Sequence, residues 1–221
     1  RMKKVLLQVA LDFVSFEEAQ ELCTPIGELA DILEVGTPFI LKYGLSSLPS
    51  LQACLKKPIP IFADLKIADG GFLEAEMAVE YGASLVSVLA GARTETLEEV
   101  YRACQEKGAK VVVDTVDLLP SDQEKIQYLL THPPHYLCLH VPHDVVEKGV
   151  AFLDELQELL IFKEYNLSLM VAGGLSPRIL PRVLEALSPE VVVVGSAVTR
   201  SSAPEETLKL LRRLLDEYES T

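Results

Sequence analysis

The stretch "VLLQVALDFVSF", residues 5–16, decides between two ways of building an α/β protein. It opens as a short apolar run, the signature of a strand buried on both faces. It closes on Asp12, and Ser15 then stands as a helix N-cap with Glu18 three residues on, a capping-box pattern. A doubly wound open sheet carries a glycine-rich G-x-G-x-x-G after its first strand; "LDFVSF" occupies that place here. Working outward, the same kind of run recurs: "ILEVG" (32–36), "IPIFADLK" (59–66), "SLVSVLA" (84–90), "KVVVDTV" (110–116), "YLCLHV" (136–141), "LSLMVAGG" (167–174) and "VVVVG" (191–195). Amphipathic stretches separate them. "TETLEEVYRACQEKG" predicts a helix from Thr94 with Gly108 just past its end, and "SPRILPRVLEAL" predicts one with Pro177 at its first position. About eight strand-then-helix units in roughly 215 residues predict a compact (β/α)8 TIM barrel. No linker-like tract or shift of composition interrupts residues 1–221, so one domain is expected.

Bulk properties narrow the function. The 221 residues are 49% hydrophobic with a formal net charge of −13. That charge disfavours a nucleic-acid partner, which needs a basic surface. It also means that an anionic substrate must be held by local groups. No apolar run approaches the roughly 20 residues that span a bilayer, so no membrane partner is expected. The basic start "RMKK" meets Gln8 and Asp12 too soon for a signal peptide, and a cytoplasmic protein is expected. Arg1 ahead of Met2 reads as a cloning remnant. Cys23, Cys54, Cys104 and Cys138 form no C-x-x-C pair and read as reduced, mostly buried thiols, with zinc or disulfides the less favoured alternatives.

A (β/α)8 barrel carries its active site at the C-terminal ends of its strands. Those ends hold Asp12, Glu34, Asp64 with Lys66 and then Asp69, Asp114, His140, Gly173-Gly174 and Gly195-Ser196. Thr37 and Asp144 also lie there and can be explained as helix caps. Glu34, Asp64 and Lys66 are different, because they sit within or against apolar runs. A buried, unpaired charge costs several kcal/mol. Asp64 and Lys66 are two apart and point to one side of their strand. Two carboxylates converging beside an ammonium suit a hard cation such as Mg2+, with Glu34 and Asp64 as ligands and water and substrate oxygens for the rest. "VAGGLSP" and "VVGSAVTRS" place small residues before helix starts, where bare backbone N–H groups can bind phosphate; tight packing is the alternative reading of these glycines.

Taken together, "LQVALD", "EVGTPFI", "ADLKIADGG", "LHVPHD", "VAGG" and "VVGSAVT" resemble the orotidine 5′-monophosphate decarboxylase suprafamily over nearly the whole chain. "ADLKIAD" matches its D-x-K-x-x-D motif at Asp64, Lys66 and Asp69. "LEVGTPFI" is similar to the metal-dependent sugar-phosphate branch, where Glu34 would be a ligand. Within the branch, Ala172 and Ser196 resemble 3-hexulose-6-phosphate synthases more than 3-keto-L-gulonate-6-phosphate decarboxylases, which carry threonine and arginine at those places. Pro142-His143 and "DTVDL" depart from both patterns.

The resemblance implies a lyase in which Mg2+ stabilises the 1,2-enediolate of D-ribulose 5-phosphate. His140 would take the C1 proton before the enediolate adds to formaldehyde. It implies a homodimer with shared active sites, Asp69 reaching into the partner's site; the local alternative is that Asp69 caps the helix near Gly71. Decarboxylation of the keto-gulonate phosphate is the alternative activity, and a non-catalytic sugar-phosphate sensor the third. A sensor has no use for a proton shuttle. His132 and His135, in "LTHPPHY", read as solvated turn residues.

Overall fold

A computed structural model describes residues 4–221; Arg1 and Met2, the expected cloning junction, lie outside them. The eight strands are β1 (Leu6–Leu11), β2 (Ile32–Val35), β3 (Ile61–Ile67), β4 (Leu85–Leu89), β5 (Lys110–Asp114), β6 (Tyr136–His140), β7 (Leu169–Ala172) and β8 (Val191–Val194). All pair in parallel in chain order, and β8 returns to β1, with Leu6 beside Val191, to close the barrel. Helices lie between successive strands, so the order is that of a (β/α)8 barrel.

Alternation along each strand divides the core in two. One set of side chains, including Val9, Leu33, Val86, Val113 and Val192, meets the helices in the larger cluster. The other set, including Ala10, Ile32, Phe62, Val112, Met170 and Val193, fills the barrel interior. This is why the strands read as continuous apolar runs: both faces are covered.

The helices follow local chemistry. The first, Phe16–Leu29, starts on the expected capping box: Glu18 N–H donates to Ser15 Oγ at 3.1 Å and Ser15 N–H to Glu18 Oε2 at 2.9 Å. Its buried stripe is Ala19, Leu22, Cys23 and Ile26, at helical spacing. Helix Thr94–Lys107 ends on Gly108 in the left-handed conformation (φ 76°), as the sequence predicts. The helix after β7 departs from prediction. It begins at Leu180, not at Pro177, because residues 177–179 form a turn closed by Ile179 and Leu180 N–H groups donating to Ser176 O. Pro181, rather than Pro177, occupies its first turn.

Cys23, Cys104 and Cys138 are buried, Cys54 is half-buried, and all four are free thiols. Burial pushes the Cys23 thiol up to about 12 and Cys104 to about 11. No helix of the described residues is long and apolar enough to cross a membrane.

Candidate active site

The strand ends enclose a cavity of about 420 Å3 at the C-terminal mouth of the barrel. It is lined by Asp12, Glu34, Asp64, Lys66, His140, Gly173, Gly174, Gly195 and Ser196, so nine of the ten expected site residues meet there. Asp69 does not line it. It is exposed beyond the end of β3, where its Oδ1 accepts the Gly70 N–H at 2.8 Å. The helix Gly71–Glu80 has no side-chain cap, so Asp69 is not performing the local role that was its alternative.

β3 brings Asp64 and Lys66 together through an irregularity that plain alternation does not foresee. Ala63 pairs with Val86 and Ile67 with Val88, so β3 bulges between them, and Lys66 takes a left-handed backbone (φ 47°). The buried Ser87 of β4 faces the bulge. It accepts the Lys66 N–H at 2.9 Å and donates to Asp64 Oδ1 at 2.7 Å. Lys66 Nζ pairs directly with Asp64 Oδ2. Thr37 completes the cluster. Its Oγ1 donates to the Asp64 carbonyl at 2.5 Å and accepts from Lys66 Nζ at 3.1 Å. Thr37 is therefore a site residue rather than the helix cap it could have been; Gly36 holds the cap position. Burial works against the Lys66 ammonium, but the charge and hydrogen bond of Asp64 outweigh it and raise its pKa.

Glu34 is 7% exposed on β2, and its one side-chain hydrogen bond among the described residues comes from Gln8 Nε2 at 2.6 Å. Burial, then the charges of Asp64 and Asp12, hold its carboxyl well above the usual range. Asp12 is also raised, by burial first and then by Asp64. Its carboxylate lies so close over Gly36 that a Cβ there would stand 1.8 Å from Oδ1, which explains the glycine of "EVG".

Across the cavity, β5 and β6 supply a dyad. His140 Nδ1 lies 2.9 and 3.1 Å from the two carboxylate oxygens of Asp114, which is 4% exposed and also accepts the Val116 N–H. Asp114 Oδ atoms accept, so Nδ1 carries the hydrogen and Nε2 is left as the basic nitrogen. Burial lowers the His140 pKa, but Asp114, by charge and hydrogen bond, raises it above the ordinary value overall. The exposed Phe13 ring rests against His143 at the mouth, centroids 4.8 Å apart. His132 and His135 are exposed, as expected, and His135 Nδ1 also accepts the Val111 N–H at 2.9 Å.

The far end of the cavity is bare backbone. Gly173 has φ 108° and a Cβ there would stand 2.3 Å from Val141 O, so no other residue fits. Gly174 is also left-handed (φ 72°). Gly195 leads into the short helix Ser196–Thr199. Arg200, in the quoted "VTRS" but not singled out in the sequence, lines this end too, with its guanidinium 3.8 Å from Glu147.

The donor set suits a hard divalent cation. Asp12, Glu34 and Asp64 crowd together with one ammonium, that of Lys66, among them. Among the described residues no three His, Cys, Asp or Glu side chains form a metal-holding group. A cation here would use Glu34 and Asp64 and take its remaining oxygens from water and substrate, the habit of Mg2+.

A family model described as "Orotidine 5'-phosphate decarboxylase / HUMPS family" matches residues 6–211. The chain is 28% identical over 211 residues to the 3-hexulose-6-phosphate synthase of Bacillus subtilis (strain 168), covering 95% of this chain and 98% of that one. The crystal structure of 3-hexulose-6-phosphate synthase from Salmonella typhimurium superimposes with a TM-score of 0.87 at 30% identity, over 97% of this chain and 100% of that one. The 3-keto-L-gulonate-6-phosphate decarboxylase of Vibrio cholerae O1 shares the fold, with a TM-score of 0.82 at 21% identity, over 98% and 99% of the two chains.

Proposed function

The chain belongs to the orotidine 5′-phosphate decarboxylase / HUMPS family, and on that premise we propose that it is a 3-hexulose-6-phosphate synthase-like carbon–carbon lyase. Its substrates are D-ribulose 5-phosphate and formaldehyde. One observation carries the reading: the His140–Asp114 dyad opens on the same cavity as the Glu34, Asp64 and Lys66 cluster. A base thus faces a site for the oxygens of a ketose.

The phosphate sits at Gly173, Gly174, Gly195 and Ser196, where backbone N–H groups hold it without a basic surface. His140 Nε2 removes a proton from C1, giving the 1,2-enediolate, and Asp114 steadies the resulting imidazolium. C1 then bonds to the formaldehyde carbon, and the new alkoxide takes up a proton to give the hexulose phosphate. Lys66 lends fixed positive charge where oxygen becomes negative, and Asp64 and Thr37 hold its ammonium in place. Asp12 lines the same cavity, beside Gly36 at the end of β2. Mg2+ held by Glu34 and Asp64 supplies Lewis-acid polarisation of the ketose oxygens when bound.

The whole chain is one barrel domain working as a homodimer in the cytoplasm, where unpaired cysteines are at home. Leu73, Met77 and Tyr81 support the dimer: they recur every fourth residue along helix Gly71–Glu80 and its cap, and are 62%, 39% and 44% exposed. Asp69, just before that helix, then reaches the partner's site.

In deuterated water, the enzyme with Mg2+ should exchange a C1 hydrogen of ribulose 5-phosphate in the absence of formaldehyde, and EDTA should stop the exchange. A C1 position that stays fully protonated contradicts the enediolate. Exchange that persists in EDTA contradicts the metal.

A further inference from the structure

We infer that Gln8 is a positioning residue that fixes the Glu34 carboxylate for the cation. The inference rests on the reading of Glu34 as a ligand. Alternation along β1 puts Gln8 between Leu6 and Ala10, on the strand's inward side, beneath the cavity floor. It is fully buried and does not line the cavity, so it stands behind Glu34 rather than in the site itself. Nε2 donates to Glu34 Oε1 at 2.6 Å, while Gln8 Oε1 has no hydrogen-bond partner among the described residues.

A residue selected for the fold alone would look different. Its neighbours in the interior, Ile32, Val191 and Val193, are apolar. A buried amide with an orphan acceptor destabilises, and an apolar side chain of the same shape removes that penalty. What Gln8 gives in return is orientation. It ties down one oxygen of a carboxylate that no cation among the described residues pairs with, and leaves the other oxygen directed by that bond. Outer-sphere partners of this kind set metal affinity, typically by about 10–100-fold.

Gln8→Met keeps the volume and removes the hydrogen bond. Titration calorimetry with Mn2+, a spectroscopically convenient substitute for Mg2+, should show Kd weakened by about 10-fold or more. The melting temperature of the same cation-free protein should stay equal to wild type or rise. Opposite movement of the two readouts is the signature, since a structural role would lower both. Unchanged Kd in Gln8→Met beside a wild type that binds Mn2+ overturns the inference. A wild type that binds no Mn2+ overturns instead the assignment of Glu34 and Asp64 as ligands. Gln8→Leu serves if Gln8→Met does not fold, and failure of both to fold makes Gln8 a residue of the fold and also overturns the inference.

Discussion

His140 and Asp114 stand at the ends of adjacent strands, and their pairing decides which ring nitrogen is free to act. Asp114 raises the His140 pKa above its ordinary value of 6.5 against the opposing pull of burial. A base must be neutral, so kcat/KM should rise with pH through a value above 6.5. Asp114→Asn removes the largest raising influence and leaves burial, with Lys66 lowering the pKa and Asp64 raising it, each by less. The acidic limb should then move to lower pH, a shift that a pH–rate profile measures; an unmoved limb assigns it to another group. His140→Asn should cost about 10²–10⁴ in kcat, the usual worth of a positioned base. The stability linkage has a definite sign. The folded state holds this proton more tightly, so the pair stabilises fully below pH 6.5 and loses that contribution as pH rises through the folded pKa. Glu34, Asp64 and Lys66 were legible in the sequence because charge within apolar runs has few structural explanations. Gln8 and Ser87 were not singled out, because an uncharged polar residue in a strand is unremarkable until its neighbours across the sheet are known. Thr37 was visible only as a possible cap, since nothing local says that its hydroxyl reaches β3.

At the scale of the element, strand positions followed from apolar runs, and all eight lie within the predicted stretches or one residue past them. Irregular backbone was not legible. The β3 bulge depends on Ser87 of the next strand accepting the Lys66 N–H, a partnership with no sequence signal. The turn after Ser176 likewise displaced a proline-marked helix start that local propensity favoured. The glycine turns were visible as glycines, and the structure separates their roles. Gly173 is required by the backbone of Val141, whereas a Cβ at Gly174 meets only Val146 side-chain atoms, at 3.2 Å or more. Gly174→Val therefore tests the phosphate end with less damage to the barrel, despite the positive φ. It should raise KM for ribulose 5-phosphate by about 10-fold or more, about 1.4 kcal/mol of binding. Ser196→Ala should change KM by less than about 3-fold, because backbone N–H groups do the holding. Equal, small changes in both variants would move the phosphate elsewhere.

For the whole molecule, barrel closure was legible from the count and order of strands, since eight apolar runs alternating with helices leave few ways to cover both faces of a parallel sheet. A homodimer was expected only from the resemblance, because the exposed Leu73, Met77 and Tyr81 that support it can be picked out only once the other face of their helix is seen to be buried. Asp69, exposed and outside its own cavity, belongs to this scale. Inactive Asp69→Ala and Lys66→Ala dimers, mixed equally and allowed to exchange, should recover about a quarter of wild-type activity per subunit, since half the dimers are hybrids with one intact site. No recovery after demonstrated exchange places Asp69 in its own chain's chemistry. The central claim concerns the reaction itself. The direct measurement compares kcat/KM for condensation of D-ribulose 5-phosphate with formaldehyde against kcat/KM for decarboxylation of 3-keto-L-gulonate 6-phosphate, both with Mg2+. Faster condensation, yielding a hexulose 6-phosphate, is the expected result. Faster decarboxylation, or no product that depends on formaldehyde, would contradict it.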